Sequence, residues 1–80
     1  MDDVRVWLVE RSVDDRGLVE LVYATPDGER TFSRQQSAHL LDGVAAARTV
    51  APDRLDAVAD AERQERYRTE VERMAARHDP

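Results

Sequence analysis

The histidines His39 and His78 and the serines Ser33 and Ser37 are the side chains of this 80-residue chain that come nearest to a reactive set. A hydroxyl close to an imidazole suggests a nucleophile with its base, but the spacing opposes it. Ser33-Arg34-Gln35-Gln36 reads as a capping box, in which the serine hydroxyl takes the amide of Gln36 and the glutamine returns to the amide of Ser33. On the helix that would follow, two-residue spacing points Ser37 and His39 to different sides. Neither histidine lies in an HExxH or HxH spacing, so neither reads as a metal ligand. The chain has no cysteine, no glycine-rich phosphate loop and no GxSxG. The acid pairs Asp2-Asp3 and Asp14-Asp15 fall at the terminus and in a loop, where they read as solvated surface. These readings point to a non-enzymatic protein without cofactor or metal.

The twelve basic residues are all arginine, and they stand against seventeen acids, for a net charge of -5. An acidic balance disfavours loose attachment to nucleic acid or anionic lipid. A nucleic-acid surface would have to use Arg5 and Arg11 on a strand with Arg30 and Arg34 at the end of a hairpin. Arginine's fork suits phosphate and base edges, although Glu10, Glu20, Asp27 and Glu29 lie close in sequence. A lysine-free, carboxylate-rich composition fits a cell full of salt; GC-rich codon usage is the other source of the same bias. With no long apolar run and no basic start at Met1-Asp2-Asp3, the expectation is a cytoplasmic protein without a membrane span.

Val4–Val9 and Leu18–Tyr23 are rich in β-branched and aromatic residues and read as strands, joined through Asp14-Asp15-Arg16-Gly17. Pro26-Asp27-Gly28 is a turn with glycine at the left-handed position, leading to a third strand near Glu29–Phe32. Alternation gives this sheet two apolar faces, Val4, Val6 and Leu8 against Trp7 and Val9, so both need cover. The capping box at Ser33 predicts a helix with a stripe of Leu40, Leu41, Val44 and Ala47 and a weak point at Gly43. Pro52, Asp53 and Asp56 predict the start of a second, long helix reaching Arg77. The expectation is one small α+β domain over 1–80: a three-stranded antiparallel meander (about 4–32) followed by two helices (about 33–78), the C-terminal one long.

On that last helix Tyr67, Val71, Met74 and His78 recur on one face, beyond a polar stretch that Glu62–Arg66 and Glu65–Arg68 pairs would support. A helix of about 25 residues would span nearly 40 Å and outreach a three-strand sheet, so its far end calls for a second copy. The preferred reading is a homodimeric interaction or accessory module, with an unidentified protein partner as a further possibility. It would work through Trp7 and Val9 on the sheet and Tyr67, Val71 and Met74 on the helix. A nucleic-acid-associated regulator is the runner-up and a small enzyme the third reading. The composition, together with the segment Tyr23-Ala24-Thr25-Pro26-Asp27-Gly28-Glu29-Arg30-Thr31-Phe32, resembles the small acidic proteins of unknown function of haloarchaea. That resemblance implies no activity and no site residues.

Overall fold

The computed structural model describes residues 2–37 and 44–78. Strand β1 (Val4–Val13) pairs antiparallel with β2 (Leu18–Ala24). Gly17 turns the chain between them with φ 80°, and Asp14 Oδ1 accepts the amides of Arg16 and Leu18, each at 2.9 Å. At the next turn Gly28 has φ 73°. There the buried Thr25 hydroxyl donates to Asp27, whose Oδ1 also accepts the Glu29 amide at 2.9 Å. The chain then enters β3 (Arg30–Ser37).

Both turn carboxylates titrate below the ordinary aspartate range, Asp14 chiefly through the Leu18 amide and Asp27 chiefly through the Thr25 hydroxyl. A carboxyl depressed in the fold contributes stability above its unfolded pKa of about 3.9 and loses it as pH falls through the folded value. Asp27→Asn should therefore melt below the native protein at neutral pH, with the gap closing as the pH drops under about 4. A gap that persists at pH 2 would show that the aspartate charge is not what holds the turn.

After β3 the chain departs from the sequence expectation. The sheet has five strands in the order β4-β1-β2-β3-β5, adding β4 (Ala47–Val50) and β5 (Asp56–Ala57), and one helix follows, α1 (Ala61–His78). The three-strand meander with two helices is thus corrected to a five-stranded antiparallel sheet with one C-terminal helix. Ser33 and Gln36, the supposed capping box, lie inside β3 and pair with Val22 and Val19 of β2. Their backbone groups are satisfied by the ladder, which competes directly with a helical turn. Of the expected apolar stripe, Leu40 and Leu41 lie outside the described residues, as do His39 and Gly43. Val44 lies in irregular chain ahead of β4, and Ala47 is in β4, paired with Trp7.

Pro52 opens only a single 3-10 turn, Pro52–Arg54, and Leu55 is already extended. The following residues are drawn into the sheet, Asp56 and Ala57 pairing with Thr31 and Arg30, and Val58 donating its amide to the Glu29 carbonyl at 2.8 Å. Asp60 is the true helix start: its side chain accepts the Glu62 amide at 3.0 Å and its carbonyl accepts Gln64 at 2.9 Å. The helix has 18 residues, about 27 Å at 1.5 Å per residue. It fits within the 31 × 30 × 26 Å molecule, so its length alone demands no second chain.

α1 lies across one face of the sheet. Tyr67 and Val71 are buried there against Trp7, Val22, Ala24 and Val58, with Val9 and Met74 partly buried beside them. The opposite face buries Val6, Val19, Leu21, Tyr23 and Val50, and Val44 and Leu55, from either side of β4, pack onto it. Tyr23 fixes this second layer by donating its hydroxyl to the Ala45 carbonyl at 2.9 Å. Among the described residues no helix is long and apolar enough to cross a membrane.

Candidate functional site

The five residues that the sequence offers as an interaction surface come together, but against one another. Trp7 and Val9 from β1 meet Tyr67, Val71 and Met74 from α1 in one cluster, with Trp7 5%, Tyr67 5% and Val71 3% exposed. This is packing of the helix on its own sheet. Neither expected ion pair of α1 is made, since the helix's pair within 4 Å joins Arg73 to Glu70, at 3.1 Å. Arg66 instead lies over the ring of Tyr67, at 5.8 Å.

The strands sort charge between the two faces of the sheet. The register puts Arg11 and Arg34 on either side of Leu21, and alternation along β3 puts Arg30, Phe32, Arg34 and Gln36 on that same face. Arg48 joins them from β4, its guanidinium 5.6 Å from the Phe32 ring centre and 5.9 Å from that of Tyr23. The strand acids Glu10, Glu20 and Asp56 fall on the helix side, where they pair across with Val22, with Ser12 and Gln35, and with Thr31. Arg5 belongs to the helix side as well, 4.9 Å above the Trp7 ring, so it is separated from the three arginines that the sequence grouped with it.

A β-bulge makes this sorting possible. The pairing of β1 with β2 slips between Leu8 and Glu10, so that Leu8 faces Tyr23 and Glu10 faces Val22. Val9 is the extra residue, and it and Glu10 both turn toward α1, where Glu10 accepts the Tyr67 hydroxyl at 3.3 Å. Without the slip, strict alternation would place Glu10 among the arginines and Arg11 under the helix. The bulge exchanges them.

Arg11, Arg30 and Arg34 are exposed and Arg48 is half-buried. None of them forms an ion pair among the described residues, where the pairs are Arg16–Asp14 and Arg73–Glu70. Arg48 is held by aromatic rings, which support a guanidinium without occupying its N–H donors as a carboxylate would. Tyr23 reports this field. Burial raises its phenol above the usual tyrosine value, and the charges of Arg48 and Arg34 pull it back.

The helix side carries a different feature, an open cleft of about 390 Å³ between the start of α1 and strands β1 to β3. Glu10, Glu20, Thr31, Ser33, Asp60, Arg63 and Tyr67 supply its polar lining. The Tyr67 phenol is raised by burial and by Glu10, which keeps it a neutral hydrogen-bond donor and makes it a poorer proton source. Among the described residues no group of three or more His, Cys, Asp or Glu could hold a metal ion.

The whole chain, residues 1–80, matches a family of unknown function, DUF7967. The chain belongs to that family. No curated protein and no solved structure matches it. For this DUF7967 member the candidate site therefore rests on the geometry of its own residues, and the arginine-bearing face is the surface with the most defined chemistry. Arg48 is the part that sequence reading missed, because a helix was expected across it. The signal present was Thr49-Val50, a β-branched pair in a run where alternation sets Arg48 with Val50.

Proposed function

We propose that the protein is a non-enzymatic interaction module that holds an anionic partner on the arginine-bearing face of its sheet. The supporting observation is the charge sorting: four arginines and none of the strand acids lie on one face of a chain whose net charge is -5. A random scatter of seventeen acids and twelve arginines would neutralise each patch locally. Here a register slip in β1 is used to keep a glutamate off the face and bring an arginine onto it. Local potential, rather than net charge, governs what such a surface attracts.

This reading predicts that the native protein is retained on phosphocellulose at low salt despite its net negative charge. Arg34→Gln with Arg48→Gln should emerge unretained. Arg63→Gln with Arg77→Gln on α1, an equal change in net charge, should be retained like the native chain. Far-UV circular dichroism checks that each variant is folded. Native protein that flows through, or two double variants that behave alike, would rule out the arginine face as the binding surface.

A further inference from the structure

Resting on the reading above, we infer that the anionic partner is a single-stranded nucleic acid, laid along β3 of the arginine-bearing face. The inference comes from what stands between the charges. Along one side of β3 the order is Arg30, Phe32, Arg34, Gln36, a cation, a ring, a cation and an amide at alternate positions of a strand. Phe32 is partly buried, packed on the apolar layer of that face beside Tyr23, and the Arg48 guanidinium lies 5.6 Å from its ring centre. An acidic protein segment would use the arginines as charges alone and leave the stacked guanidinium face of Arg48 and the Gln36 amide unused. A single strand uses all of them: phosphates take the guanidinium forks, an unstacked base takes the guanidinium surface of Arg48 that the Phe32 ring backs, and the Gln36 amide meets a base edge.

The dimensions agree with an extended chain. Arg30 and Arg34 are four residues apart on a strand, about 14 Å, and Arg11 and Arg34 are two strand spacings apart, about 10 Å. Such a band serves a flexible strand whose phosphates can be spread over it. No described helix lies on this face to enter a duplex groove. Stacking on a ring and guanidinium is not screened by salt, so the site keeps a component of affinity where the phosphate contacts weaken.

The test is fluorescence anisotropy of a short fluorescein-labelled oligothymidylate with the full chain over a range of KCl concentrations. With four arginines engaged, log affinity should fall with log salt at a slope of about -3, from about 0.7 per phosphate on a single strand. Arg34→Gln with Arg48→Gln should remove about 1.4 from that slope. Phe32→Leu should weaken binding about five- to tenfold and leave the slope unchanged, which only a stacking role does. If labelled polyglutamate of equal charge, or the corresponding duplex, binds as tightly, the single-strand inference falls while the anion-binding reading stands. If Phe32→Leu binds like the native protein, the inference falls in the same way. If none of the three polyanions binds, both fall.

Discussion

Gly28→Ala should lower the stability of the fold by about 2 to 5 kcal/mol, and the cost has two separable sources. Gly28 has φ 73°, a left-handed conformation that costs an L-residue about 1 to 2 kcal/mol. It also sits directly against the backbone of α1. A Cβ there would overlap the Gln64 carbonyl oxygen and stand 2.9 Å from the Arg68 amide nitrogen, neither of which can move without breaking the helix. Forced overpacking of this kind adds about 1 to 3 kcal/mol. Gly17 provides the comparison, since its φ is 80° but nothing lies within 4 Å of the added carbon. Gly17→Ala should show the backbone cost alone. With about 4 to 8 °C per kcal/mol for a domain of this size, Gly28→Ala should melt roughly 10 to 40 °C below the native protein and Gly17→Ala roughly 5 to 15 °C below, the first at least twice the second. Equal shifts for the two variants would mean that the close approach of the turn to the helix contributes nothing.

That turn also shows how far local sequence could be read. Pro26-Asp27-Gly28 and Asp14–Gly17 signal their hairpins unaided, because a positive φ and a short acceptor side chain act over four or five residues. The strands they join, β1 and β2, were legible for the same reason. What failed was β3 beyond Phe32 and the described chain from Val44 to Asp60. Ser33, Arg34, Gln35 and Gln36 have neither β-branched nor apolar character, and their strand pairing is imposed by Val22, Leu21, Glu20 and Val19 across the ladder. Tertiary pairing of this kind overrides propensity. Likewise Asp56-Ala57-Val58 resembles a helical first turn until the Glu29 carbonyl captures the Val58 amide. The arginine face was half legible. Arg11, Arg30 and Arg34 are readable from the sequence, but the sequence groups Arg5 with them and gives no place to Arg48. Both errors follow from long-range register: Arg5 is fixed by its place beside Trp7, and Arg48 by an edge strand that the sequence disguises. The bulge at Val9, which decides where Glu10 and Arg11 point, leaves no mark in the residues themselves.

The second large effect concerns the seam between helix and sheet. Val71→Asp with Met74→Asp should unfold the protein, because Val71 is 3% exposed and packed among Trp7, Val22 and Tyr67. Removing a buried valine side chain forfeits about 1.5 to 3 kcal/mol of transfer energy. Placing a carboxylate in its stead adds several kcal/mol of desolvation. The sum rivals the total stability of an 80-residue domain, about 4 to 12 kcal/mol at 0.05 to 0.15 per residue. The milder Val71→Ala should leave a folded chain destabilised by about 2 kcal/mol. Far-UV circular dichroism with light scattering separates this from the alternative use of the stripe. If Tyr67, Val71 and Met74 served to join two chains, the double aspartate variant would remain helical and halve in mass. A chain that loses its helix signal instead places those side chains in the core of its own domain, where they are unavailable to any second chain.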